Sequence, residues 1–321
     1  MLKKKGEIIM KKLLTLLLAL SILLTMAAFA GAMAEETFSI GLSMHNQTAD
    51  WAVQFKDTFV ELCETNGFDL AWTDANSVAS TQVQDIDDLL AQNIDVLVVV
   101  PADYTALGQA LAAAKEAGVK VVNADSKVVE EDQQYVDCFI TADCYEGGKT
   151  CGKYLAELFP EGATIGGLNY PQIAVIADRF IGTQDAWDEL GRDDLILIDK
   201  TCTDLNAIAT YTEDMLMANP EIAGFVCLND NTALSCYAAC VQLDRPDCVV
   251  IGFDGSPASK QSIANGEMTA TLVYSPVDLA TWSFEAASAL AKGETPDVEV
   301  KVDMWMINRE NIAEHDLDNW E

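Results

Sequence analysis

Histidine is almost missing from this chain of 321 residues, which has two, His45 and His315. No Gly-x-Ser-x-Gly elbow is present either, and no His stands beside a Ser or Cys in a triad-like setting, so catalysis has few residues to carry it. The same scarcity leaves Cys236 and Cys240, one helical turn apart, without the His spacing that completes a zinc site. Basic residues are also few, 19 against 51 acidic, for a net charge of −32. Nucleic-acid binding needs a basic footprint, and this balance argues strongly against it. The acidity fits solubility and self-repulsion and names no partner. No Ser/Pro/Gly-rich linker divides the chain, and beyond the N-terminal region no run is long and apolar enough to span a bilayer.

What is present is a globular composition, half apolar and 22% charged, in a length that suits two ordinary domains. From Met10, Lys11 and Lys12 precede an apolar run from Leu13 to about Leu24, and small residues lead to Ala32-Met33-Ala34. A charged head, a hydrophobic middle and an A-x-A site read as a secretory signal peptide over residues 1–34. An uncleaved membrane anchor is the competing reading, and the Gly/Ala tail favours cleavage. The first Cys is Cys63, far from the cut, which excludes a lipid-modified cysteine there. Nine Cys in an exported protein suggest disulfides. Their positions in apolar strand-like runs (Cys138, Cys227) and helix-like ones (Cys63, Cys151, Cys236, Cys240) read instead as small buried hydrophobes, mostly free thiols.

After the leader the pattern is regular. TFSIGLSM (37–44), FDLAWTDA (68–75), VLVVVP (96–101) and VKVVNAD (119–125) read as strands, with helical periodicity between them. The run at 96–101 is so apolar that both faces must be buried, as in a parallel sheet. A second set follows: strands at 163–170, 195–202, 224–230, 249–254 and 269–275, and helices at 145–159, 178–190, 206–218, 231–242 and 256–264. A helix at 276–292 and one last strand at 298–307 close the chain. The fold class is α/β, with two similar doubly wound parallel-sheet lobes joined by closely spaced crossings that act as a hinge.

Ligands of such sheets sit beyond the carboxyl ends of the strands. VVNADSK and VVIGFDGSP each run a strand into a carboxylate, Asp125 and Asp254, one from each half. An ionised carboxylate accepts on two oxygens and holds neighbouring sugar hydroxyls in pairs; helix capping is the plainer role open to Asp254. Arg179 is expected to open the helix at 178, where the dipole disfavours a cation and a ligand would explain it. At the end of GFVCLND, Asn229 suits the cleft and Asp230 suits the cap. Trp51 offers an aromatic face or is a core residue; Tyr274 has a face and a hydroxyl. His45 lies in a loop toward the cleft. GGKT (147–150) lacks the first Gly of a phosphate loop, since position 143 is Asp143, and reads as a helix start with a small-residue packing face.

The order of VVNADSK, ADCYEGGKTCGKYL, the R-x-x-G of Arg179–Gly182, ANPEIAGFVCLNDNTALS, VVIGFDGSPASKQSIANGEMTATLVYSP and the tail INRENIAEH resembles the type I periplasmic solute-binding proteins of ABC sugar importers, the ribose- and galactose-binding group. The resemblance implies three crossovers, with lobes at 35–141 plus 276–302 and 142–275 plus 303–321. It implies a ligand site of Trp51, Asp125, Ser126, Arg179, Asn229, Asp254 and Tyr274. Ser126 stands where ribose binders carry Arg, Tyr274 where they carry an amide, and no stacking aromatic is found near Asp204. The function implied is an exported, non-enzymatic monomer, with no cofactor, that passes a small sugar or polyol to an ABC permease. A sensory receptor signalling to a histidine kinase or chemoreceptor is the alternative.

Overall fold

The computed structural model describes residues 37–321; the expected leader lies outside them. Two six-stranded sheets form the frame. The first takes β1 (Ser39–Met44), β2 (Asp69–Asp74), β3 (Val96–Val99), β4 (Lys120–Ala124), β5 (Cys138–Ala142) and β11 (Glu299–Val302). The second takes β6 (Ala163–Asn169), β7 (Leu195–Thr201), β8 (Ile222–Cys227), β9 (Val249–Asp254), β10 (Ala270–Val273) and β12 (Trp305–Asn308). The helices are α1 (Asp50–Asn66), α2 (Ala79–Leu90), α3 (Gly108–Glu116), α4 (Cys144–Leu158), α5 (Ala174–Leu190), α6 (Ile208–Ala218), α7 (Asp230–Gln242), α8 (Pro257–Ala264) and α9 (Pro276–Ala291).

Strand order repeats between the sheets: β11-β5-β4-β3-β1-β2 and β12-β10-β9-β8-β6-β7. In each, the first strand of the repeat lies one in from the edge, between the second and third, and the order reverses beside it, which opens a crevice at the strand carboxyl ends. The pairings are parallel except β10–β12, which is antiparallel. The last strand expected at 298–307 is two. Residues 299–302 join the first sheet beside β5 and residues 305–308 join the second, so the chain crosses between sheets at Asp303 and Met304. The other crossings lie between Ala142 and Cys144 and between Val273 and Pro276.

Aromatic and aliphatic side chains supply the cohesion. Phe55 and Phe59 of α1 and Phe225 and Phe253 of the second sheet are fully buried, each contributing roughly 1.5–3 kcal/mol of transfer free energy. Gly67 ends α1 with φ 74° and donates to Cys63 and Glu64, as the helix terminus at that position requires. The GGKT glycines form a packing face: a Cβ on Gly148 would lie 2.2 Å from the Arg179 carbonyl oxygen. Only glycine lets α4 approach α5 this closely, and that approach sets the position of Arg179.

Candidate functional site

A cavity of about 100 Å³ opens at the carboxyl ends of both sheets, lined by residues of both, including Trp51, Asp125, Arg179, Asn229, Asp254 and Tyr274. Six of the seven expected site residues are therefore brought together. Ser126 is buried beside them at 1% exposure, yet it is not among the lining residues, and its hydroxyl has no partner.

Asp125 follows β4 with φ 66°, a left-handed conformation that Asp tolerates better than most residues. Asn123 holds the turn from below: its amide donates to the Ser126 carbonyl at 2.9 Å and its oxygen accepts from Val128 N at 3.0 Å. Asp254 ends β9 with φ 120°, further from ordinary geometry and costing about 1–3 kcal/mol. It does not cap α8; the cap is Ser256, whose hydroxyl accepts from Ser259 N at 3.2 Å. The turn is held by Asp230, which is fully buried and accepts from Ser256 N at 2.7 Å, Ser259 Oγ at 2.6 Å and Thr271 Oγ1 at 2.7 Å.

That assignment corrects the expected division of labour at the start of α7. Asn229 is the cap, its Oδ1 accepting from Thr232 N at 3.0 Å while the residue also lines the cavity. Asp230 is the brace beneath Asp254. Arg179 is also placed differently. The helix begins at Ala174, so Arg179 sits in its second turn rather than at its start. Its guanidinium lies 4.7 Å from the Phe253 ring centre and 5.2 Å from that of Tyr274, and donates to the Leu228 carbonyl. It stands 3.8 Å from Asp254 Oδ1, and its Nε has no partner. Burial opposes its charge, but Cys144, Asp254, Tyr274 and Asp125 around it raise its pKa above the ordinary arginine value.

Tyr274 joins the two sides. It lies in the second crossing, directly after β10, and its hydroxyl donates to Asp125 Oδ1. Burial, and then Asp125, push that hydroxyl well above 10, so it keeps the proton it donates. Its carbonyl accepts from Trp51 Nε1 at 2.8 Å, and its ring stacks on the indole at 5.5 Å. The indole also stacks on Phe55 at 5.5 Å. Trp51, 7% exposed, thus has its N–H engaged and its ring already in two stacks. Burial pushes the Asp254 carboxyl well above its usual range, the nearby Arg179 offsetting only part of this.

The cavity also takes residues outside the expected set. His45, 8% exposed, has an unpartnered Nδ1 and a pKa lowered by burial, against the pull of Asp125 and Asp74. Tyr170, Ile173, Val175, Ile176, Leu205 and Leu228 form an apolar side. All of these follow strand carboxyl ends or begin the next helix, and that position was the one available signal.

Two α/β lobes meeting at such a cavity define a bilobal binding protein. The chain belongs to the periplasmic binding protein family: the family model described as a periplasmic binding protein domain matches residues 40–295. Among curated proteins it is similar to the ribose import binding protein of Salmonella typhimurium, 26% identical over 93% of this chain and 98% of that one. It is also similar to the xylitol-binding protein of Mycolicibacterium smegmatis, 24% identical over 86% and 79%. Among solved structures, an ABC transporter solute binding protein from Mycobacterium smegmatis with bound glycerol superposes with a TM-score of 0.82. It is 28% identical, over 87% of this chain and 96% of that one. The expectation of a binding protein rather than an enzyme stands with the family. Among the described residues, no helix is long and apolar enough to cross a membrane.

Proposed function

We propose that this chain is the exported binding component of an ABC importer, capturing one small uncharged sugar or polyol between its lobes as a monomer. We place the first lobe boundary after Ala142, the end of β5 and one residue beyond the expected 141/142, and the others at 275/276 and 302/303. The observation that carries the reading is the convergence of Asp125 and Asp254, from the ends of two separate sheets, on one cavity with Arg179. Carboxylates flanking a guanidinium present acceptors and donors together. That pattern matches vicinal hydroxyls, repels anions through the two carboxylates, and disfavours cations through Arg179. The names of the relatives support transport over sensing.

Asp125, Arg179, Asn229 and Asp254 would hydrogen-bond the ligand. Asp125 offers it one oxygen, the other being held by Tyr274. Trp51 and Tyr274 would act as a stacked pair at its edge, with Ser126 behind the turn. A ligand with a misplaced hydroxyl leaves these buried groups unpaired, at about 1–3 kcal/mol each. A thermal-shift screen over pentoses, hexoses, inositols and furanosyl signalling molecules, followed by calorimetry, identifies the ligand. Asp254→Ala should then abolish binding while leaving far-ultraviolet circular dichroism unchanged; undiminished affinity refutes the assignment.

A further inference from the structure

We infer that His45 is a direct ligand contact, its imidazole exchanging a hydrogen bond with a hydroxyl of the captured sugar or polyol. This deepens the proposed function and rests on it. His45 directly follows β1 and lines the cavity, as Asp125 follows β4 and Asp254 ends β9. Among the described residues, two polar atoms of the cavity lining are buried without a partner: Arg179 Nε and His45 Nδ1. Arg179 already belongs to the expected site, and the same observation singles out His45.

The polar groups around the cavity are otherwise engaged. Asp230 accepts from three donors, Asn229 Oδ1 caps α7, and the Tyr274 hydroxyl meets Asp125. The His45 main chain is fixed too, its carbonyl accepting from Ser77 N at 2.7 Å. Its ring lies 6.2 Å from the Trp51 ring and is tilted by 48°, so it is not stacked there. The backbone is thus placed and the ring nitrogen is left over. Burial holds the ring neutral against the pull of Asp125 and Asp74. A neutral imidazole has one donor and one acceptor nitrogen, and a hydroxyl can answer either. A buried polar group without a partner costs stability in the ligand-free protein. A ligand hydroxyl that supplies the partner turns this cost into affinity.

A histidine kept only for packing makes the opposite prediction, which separates the two roles. His45→Phe, His45→Asn and His45→Gln are compared by calorimetry and by thermal melting without sugar. The probe is the tightest binder among D-ribose, D-galactose, xylitol and myo-inositol. His45→Phe should weaken binding about tenfold, while its ligand-free melting temperature rises or stays within about 2 °C of the parent. Asn sets an amide near the Nδ1 position and Gln sets one near Nε2. At least one of them should keep affinity to within about threefold of the parent. Undiminished affinity in His45→Phe, or both amides binding as weakly as Phe, overturns the inference and leaves the sugar reading intact. A ligand-free melting temperature several degrees lower in all three variants overturns it as well, since that marks a structural histidine. Silence of the parent protein across these four compounds and the wider sugar screen defeats the sugar reading, and this inference with it.

Discussion

The two strand-end carboxylates occupy equivalent places in the repeated sheets, yet they are held by different chemistry. Beneath Asp125 is a neutral amide: Asn123, two residues back on the same strand, bonded to Ser126 and Val128. Beneath Asp254 is a second carboxylate: Asp230, from the start of α7, bonded to Ser256, Ser259 and Thr271. The backbone explains the difference. Asp125 rests in the left-handed region at φ 66°, whereas Asp254 is held at φ 120°. The more strained turn has the stronger, charge-assisted brace. The first lobe makes its half of the site locally; the second makes it from three elements.

This contrast orders what mutation should do. Asp230→Ala leaves the buried Ser256 N–H and Thr271 hydroxyl without this acceptor, while the Ser259 hydroxyl keeps the Ser256 carbonyl, and should destabilise the protein by about 3–5 kcal/mol in urea denaturation. Asn123→Ala frees the turn around Asp125 but loses only neutral hydrogen bonds, so about 1–3 kcal/mol is expected. If the two variants cost the same, or Asn123→Ala costs more, the asymmetry between the braces is wrong.

The braces were also the part least legible in the sequence. VVNAD and VVIGFD show a buried strand running into a carboxylate, and the rule placing ligands at strand carboxyl ends does the rest. Nothing local separates Asn229 from Asp230, because both residue types cap helices well. A helix start shifted by one residue exchanges their roles. Arg179 was misplaced because Ile173-Ala174-Val175 carries no capping residue, so the start of α5 is invisible to capping rules. The run 298–307 reads as one strand because apolar alternation continues through the crossing. Pairing partners in two different sheets divide it, and partners are long-range information.

Acidity probes the same contrast more gently. In the second lobe, burial raises the carboxyls of Asp254 and Asp230. A carboxyl raised on folding binds its proton more tightly in the native state, so stability grows as pH falls through the folded pKa toward the ordinary value. In the first lobe, burial lowers His45. The native state then disfavours its proton, and stability declines as pH falls below 6.5 toward the folded value. The Asp254 and Asp230 carboxyls should therefore raise the melting temperature as pH falls through their folded pKa values, with His45 opposing them. Asp254→Asn, which cannot titrate, should show a smaller rise. An identical pH response in that variant would show that Asp254 binds protons no differently once folded.

The thiols give the smallest expected effect. Two of the nine, Cys63 and Cys138, belong to first-lobe elements and the rest to the second, so a disulfide network would make the second lobe the redox-dependent one. The structure indicates otherwise. All nine are free and buried. Burial pushes Cys63, Cys144 and Cys151 up to about 12 and Cys138 and Cys202 up to about 11. The thiol contact with Cys236 and then burial bring Cys240 to about 12, against the contact with Cys248, which lowers it. Only the thiolate attacks a disulfide or an oxidant, and at neutral pH these groups hold almost none. Adding dithiothreitol to the purified protein should shift the melting temperature by less than about 1 °C. A drop of several degrees would mean that pairs do form, and the contacts of Cys236 with Cys227 and of Cys240 with Cys248 are where they would lie. The stability of the second lobe would then rest on covalent bonds, and the Asp230 brace would be the lesser support.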